Sequence, residues 1–135
     1  MLDENCTIAE VRELFGNDHF ATEACKCEVL EAARGHSVCA FDIGEGHLNA
    51  QGRVMGGAIF TLADFALAIA CNIGEQPTMS VQSSIQFFSA AKGKRLIATG
   101  SADKSGRTMG YYTVDVTDEL GTKVAKMTSV CYRRP

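Results

Sequence analysis

Positive charge is not in excess in this sequence: 13 Lys and Arg stand against 16 Asp and Glu, a net charge of −3. Bulk electrostatics therefore offers no footprint for a nucleic acid. Proline is scarce, with 2 residues, and the 13 glycines are scattered rather than gathered into a linker-like tract. With no internal repeat, 135 residues read as one domain (1–135), long enough to bury a real core. A long apolar run is also lacking. The longest stretch, from Ala58 to Cys71, holds 13 uncharged residues around one carboxylate, Asp64, and is too short and too interrupted for a membrane span. The first residues, MLDENCTIAEV, are acidic and lack the basic-then-apolar order of a signal peptide. These absences lead us to expect a soluble, cytoplasmic protein with no membrane and no nucleic-acid partner.

Metal motifs are missing too, since there is no C-x-x-C and no histidine pair at ligand spacing. The six cysteines (Cys6, Cys25, Cys27, Cys39, Cys71 and Cys131) are expected as free core thiols, because nothing points to an oxidising compartment. No metal ion and no cofactor is expected.

What is present is patterned. Thr7-Ile8-Ala9-Glu10 reads as a capping box that opens a short helix over about 7–16, with Val11, Leu14 and Phe15 on one side. Residues 24–32 alternate as a strand, Arg34-Gly35 turns the chain, and 37–43 alternates again with Cys39, Phe41 and Ile43 on one face. A glycine-rich loop over 44–57 leads into the apolar helix, which stops near Asn72 to Gly74. Four strands follow over 79–88, 95–103, 108–118 and 123–132. In the first of them Val81, Ile85 and Phe87 share a face. Lys104-Ser105-Gly106-Arg107 and Asp118-Glu119-Leu120-Gly121 read as turns. Helix, two strands, long helix and four strands indicate α+β with a largely antiparallel sheet of about six strands. A helix apolar all round must be covered on every side, and one sheet covers only part of it. The remainder calls for the N-terminal segment or a second copy of the chain.

Two features of this helix carry chemistry. Gly56-Gly57 sits at its start, where free N–H groups and the positive dipole end can hold an anion or polarise a carbonyl. Asp64 is an acid in an apolar run, and an ionised carboxylate there either finds a partner or shifts its pKa. It is read either as a solvent-facing or structurally bonded residue, or as a functional acid. Asp64 lies eight residues beyond Gly56, about 12 Å along a helix, and nearly on the face of Gly57. A base and an oxyanion donor must reach one carbonyl within a few ångströms. Two antiparallel copies of the helix about a two-fold axis would bring one chain's Gly56-Gly57 to the other's Asp64.

The segment HLNAQGRVMGGAIFTLADFALAIACN closely resembles the signature of the hotdog-fold acyl-CoA thioesterases of the phenylacetate-pathway, PaaI-like branch, roughly N-x-x-G-x-x-H-G-G-x-x-x-x-L-x-D. The resemblance extends over residues 24–132. It implies a long central helix wrapped by an antiparallel sheet, a homodimer pairing further into a homotetramer, and hydrolysis of an acyl-CoA without a cofactor. Carried over, Asp64 is the nucleophile or general base, Gly56 the N–H that polarises the thioester, Asn49 a loop residue near the carbonyl or water, and Ser80 a hydroxyl steadying acid or water. Met55, Gly57 and the basic turn with Lys104, Gly106 and Arg107 are implied on the substrate, the turn near the CoA nucleotide; Lys92, Lys94 and Arg95 are a second phosphate candidate. Met55 stands where the family has histidine, and His47 in the same loop is read either as an ordinary loop histidine or as a partial substitute for that imidazole. Phe60, Phe65, Leu67 and Phe87 either line an acyl tunnel or belong to the core. The alternatives are a hotdog protein that binds acyl-CoA without turnover, motivated by Met55, and a dehydratase-type enzyme, which the missing histidine disfavours.

Overall fold

Reciprocal capping sets the first helix, α1 (Ile8–Phe15): the Thr7 hydroxyl accepts the Glu10 N–H at 3.2 Å and Glu10 Oε1 accepts the Thr7 N–H at 3.0 Å. The computed structural model describes residues 2–134; Met1 and Pro135 of the single domain lie outside the described residues. Val11 and Phe15 of α1 are buried one turn apart, whereas Leu14, expected beside them, is exposed.

The strand expected from residue 24 begins only at Glu28. Residues Phe20–Ala24 form a turn of π-helix, closed by the Cys25 N–H on the Phe20 carbonyl at 3.0 Å, and Lys26 takes a left-handed φ of 60°. Cys25, Cys27 and Val29 are nevertheless all buried, so the alternation is real while the backbone stays out of the sheet until β1 (Glu28–Ala33). β2 (His36–Asp42) returns antiparallel across Gly35 at φ 73°. A 3-10 turn (Glu45–His47) then leads to the central helix α2 (Gly56–Asn72), followed by β3 (Thr78–Phe87), β4 (Arg95–Ser105), β5 (Met109–Asp118) and β6 (Lys123–Arg133).

The six strands form one sheet in the order β1-β2-β4-β5-β6-β3, every neighbour antiparallel, with β1 and β3 at the edges. Lys104, expected in a turn, lies inside β4 beyond a register shift and opposite Tyr111. The expected inward row of β3 is broken by a bulge between Ser80 and Gln82; Val81 and Phe87 are exposed and Ile85 is half-buried.

α2 lies against β2, β4 and β5. Ten of its 17 residues are buried, Leu62 and Ile69 completely. Two bonds from the β1–β2 hairpin fix it: the Ser37 hydroxyl donates to the Ala66 carbonyl at 2.6 Å and the Gly35 N–H to the Ala70 carbonyl at 3.0 Å. A Cβ on Gly100 would fall 2.8 Å from Ser37 Oγ, so only glycine admits this approach. Asn72 ends the helix, its amide donating to the Ala68 and Thr78 carbonyls while its oxygen accepts the Thr78 N–H. At the far end of the sheet Asp118 accepts N–H groups of Lys92, Gly93, Leu120 and Thr122. Burial alone would raise its carboxyl; the backbone donors outweigh burial and hold it below the usual carboxylate range.

All six cysteines are free, five of them buried. Burial pushes the Cys27 and Cys39 thiols up to about 12. No helix among the described residues is long and apolar enough to cross a membrane. Leu62→Ala should cost about 3 kcal/mol, as a full cavity under α2 demands, read from the urea midpoint at unchanged slope.

Candidate active site

The sheet does not cover α2 completely. Gly56, Gly57, Phe60, Thr61, Asp64, Ala68 and Asn72 are the positions left open or half-open, and their recurrence at three and four residues makes one stripe along the helix. Asp64 is the one ionisable group on it. Its carboxylate makes no hydrogen bond or ion pair among the described residues and faces a cavity of about 410 Å³ lined by Asp18, His19, Phe20, Phe60, Thr61 and Phe65. Burial, and then the charge of Asp18, push the Asp64 carboxyl above the usual carboxylate range. The segment from Asp18 to Phe20 carries no periodicity or motif, so reading the sequence assigned it nothing; the π-turn that it enters places it over the acid.

The second half of the site lies at the start of α2. Met55 caps the helix without a side-chain bond, its carbonyl accepting the Ala58 N–H at 3.0 Å and the Ile59 N–H at 3.2 Å. Among the described residues the Gly56 and Gly57 N–H groups meet no acceptor, and the first turn holds no acid. Gly56 borders a cavity of about 300 Å³ that is also lined by Asn49, Arg53, Ile59, Phe87 and Phe88. A Cβ on Gly56 would sit 3.3 Å from the Phe87 ring. Asn49 Oδ1 accepts the Gln51 N–H at 2.9 Å and the Arg53 N–H at 3.1 Å, which leaves its amide N–H groups for the cavity.

Met55 is more than half exposed and covers Gly57. His47 is buried and stacked on Phe41 at 3.9 Å; Nδ1 accepts the Gly44 N–H and Nε2 donates to the Cys25 carbonyl. Both ring nitrogens are engaged, so His47 holds the loop together and cannot stand in for an imidazole at position 55. Phe60 and Phe87 line cavities, Phe65 lines one and packs edge-on against Phe15, and Leu67 belongs to the core.

The structure brings Asn49 to Gly56 but leaves Asp64 in a different cavity of the same protomer. Ser80 is exposed on edge strand β3 and lines neither cavity. Gly106 and Arg107 border the largest cavity, about 830 Å³, near the C-terminal end of α2. The Gly106 N–H is taken by the Met109 carbonyl at 2.7 Å, and its carbonyl accepts from Arg133, which is buried and also pairs with Glu75 at 2.9 Å. Arg107 keeps its guanidinium free among the described residues, and Lys104 projects from the exposed end of β4. Of the second phosphate candidates, Arg95 is occupied by Asp42 and Glu28.

The raised carboxyl of Asp64 has a thermodynamic consequence. A carboxyl whose folded pKa lies above its unfolded value lowers stability once ionised, and stability falls as pH rises through the folded pKa. Asp64→Asn should therefore raise Tm near pH 8, with the gain vanishing near about pH 3, where the acid is protonated in both states. Asp18→Asn should make that gain smaller and bring it to completion at a lower pH.

Comparisons of sequence and structure identify the family and the fold. The model of the family described as thioesterase superfamily matches residues 51–125. A protein named putative esterase from Deinococcus radiodurans is 35% identical over 89 residues, 65% of this chain and 60% of that protein, so the match spans less than two thirds of its length. The acyl-coenzyme A thioesterase PaaI of Escherichia coli is 26% identical over 113 residues, 83% of this chain and 80% of that one. Its structure superposes with a TM-score of 0.86 over 95% of this chain and 94% of that chain at 21% identity, which shows the common fold. A hypothetical thioesterase from Streptococcus pneumoniae, solved with coenzyme A, gives a TM-score of 0.83 at 28% identity over 91% of this chain and 96% of that one. The chain belongs to the thioesterase superfamily, as a PaaI-like member with the hotdog fold.

Proposed function

We propose that this protein hydrolyses an acyl-CoA thioester at a site shared between two copies of the chain. The observation that carries the proposal is Asp64: a half-buried, unpartnered acid on the uncovered stripe of an otherwise buried helix. A structural domain gains nothing from such a group, and a hydrolase needs it. The naming of the E. coli relative as an acyl-CoA thioesterase and the coenzyme A in the S. pneumoniae structure support the substrate class.

Within one protomer Gly56 and Asp64 stand about 12 Å apart along the helix, too far to act on one carbonyl. A second copy resolves this. Edge strand β3 leaves Met79 and Val81 exposed by 62% and 58%, an apolar sheet edge with free backbone groups. Pairing there about a two-fold axis would run the two α2 helices antiparallel and cover their open stripes. It would also carry Ser80 toward the neighbouring protomer. The family resemblance adds a pairing of dimers into a tetramer, and a cytoplasmic location is proposed with it.

In this arrangement the thioester oxygen faces the Gly56 N–H at the positive end of α2, with Asn49 beside it. Asp64 of the other protomer, ionised, takes a proton from water as the water oxygen bonds to the carbonyl carbon, or attacks that carbon itself and is then released by water. Charge that develops on the carbonyl oxygen is held by the N–H group and the helix dipole. The carbon–sulfur bond breaks, and the CoA sulfur leaves with a proton returned from the site. In this reading Arg107 and Lys104 are assigned to the CoA phosphates. The reaction as written needs no metal or cofactor.

Purified protein mixed with short-chain, medium-chain and aryl acyl-CoAs and a thiol reagent should release CoA, and Asp64→Ala should reduce kcat by about a thousandfold or more with the fold retained. Rate should fall as pH drops through the raised pKa of Asp64. Mixed dimers of an Asp64→Ala chain and a Gly56→Val chain should recover activity that neither homodimer has; subunit exchange without recovery would refute the shared site. Met55→His, at an exposed position next to the free amides, should raise kcat/KM if a histidine donor is compatible with the native substrate; a decrease would mean that methionine is itself part of the fit.

A further inference from the structure

Arg53 is a charged residue that neither the fold nor the catalytic scheme uses. Arg34, Arg95 and Arg133 are paired with carboxylates, and Arg12 donates to the Val29 carbonyl. The Arg53 guanidinium makes no ion pair and no hydrogen bond among the described residues. Its backbone is held firmly: its N–H donates to Asn49 Oδ1 at 3.1 Å, its carbonyl accepts the Asn49 N–H at 2.7 Å, and Leu48 bridges Val54 alongside. From this fixed root the residue borders two cavities. One is the cavity of Gly56 and Asn49; the other, about 450 Å³, runs past Ile43, Leu48 and Gly93.

Arg53 is the single charged residue lining either cavity, and Val54, Ala90 and Ala91 are common to both. A cation without a counter-ion, beside a helix start that carries no acid, makes this end of the site positive. The Asp64 cavity has the opposite character, with two carboxylates, Asp18 and Asp64. Completing the site with the second copy sets these regions of opposite sign on either side of one thioester. An oxyanion on the substrate is repelled from one and attracted to the other.

We propose that Arg53 is a substrate-binding residue that recognises an oxyanionic group carried by the thioester substrate, either a carboxylate on the acyl group or a phosphate of CoA. Both offer the paired oxygens that a guanidinium binds through two parallel N–H groups. The inference rests on the thioesterase reading of the same site, and it adds the chemistry by which one end of the substrate is chosen.

Four thioesters separate the sources: butanoyl-CoA, glutaryl-CoA, butanoyl-pantetheine and glutaryl-pantetheine. The pantetheine forms lack the phosphates, and butanoyl-pantetheine carries no anion. Arg53→Gln keeps both backbone bonds to Asn49. It should lower kcat/KM about tenfold or more on both glutaryl thioesters if the partner is a carboxylate, or on both CoA thioesters if it is a phosphate, with butanoyl-pantetheine unchanged. Arg53→Lys should recover part of the loss. Unchanged values on all four, or an equal loss on all four including butanoyl-pantetheine, would overturn the proposal. If the wild type hydrolyses none of them, the thioesterase reading fails separately. Calorimetric affinities of wild type and Arg53→Gln for CoA and for glutaryl-pantetheine then decide: weaker binding of either by the variant supports the role of Arg53, and equal binding of both overturns it.

Discussion

Covering an apolar helix with a single sheet is the constraint on which this molecule depends. A sheet can curl around a helix from one side, and here β2, β4 and β5 take most of the circumference of α2. The remaining stripe stays accessible, and a carboxylate can occupy it without the full cost of transfer into the core. Asp64 occupies that stripe: buried enough for its pKa to rise, open enough to stay unpaired. The feature that makes the protomer incomplete as a fold is the feature that makes it useful as half of a site.

The same helix separates charge along its length. Its start presents two free N–H groups, no acid and the nearby Arg53, while the middle of its open stripe carries Asp64 under Asp18. Glycine at positions 56 and 57 keeps the backbone approachable at the positive end. Few polar contacts hold this arrangement. Ser37 and Gly35 grip α2 through its own carbonyls, Asn72 ends it, and His47 pins the loop before it to the Cys25 carbonyl. Each satisfies a backbone group that would otherwise be buried without a partner.

Much of the fold was legible in local pattern. The capping box, the Gly35 and Gly121 turns, the stop at Asn72 and the last three strands follow from period and turn chemistry. One misreading has a plain physical cause, which is that burial does not reveal hydrogen bonding. Cys25, Cys27 and Val29 alternate as a strand would, yet a π-turn and the left-handed Lys26 keep the backbone out of the sheet until Glu28. Period groups Leu14 and Val81 with apolar neighbours on one face, yet both are exposed; Val81 sits in a bulge on an edge strand. Lys104 read as part of a turn because Gly106 follows it, although β4 continues through Ser105.

For the site, the sequence alone determined which residues have distinctive chemistry, an acid in an apolar helix and two glycines at its start, while the loop asparagine Asn49 came from the family resemblance. Spacing along a helix of known rise also determined that the acid and the glycines could not meet within one chain. Tertiary structure decided their surroundings. It laid Asp18, His19 and Phe20 over the acid, used both nitrogens of His47 for the loop, took up the Gly106 N–H within its own turn, and left Arg53 alone between two cavities. Covalent order sets what a residue can do, whereas its partners come from segments far away in sequence, and only the packed chain determines which charges are answered and which are left for a ligand.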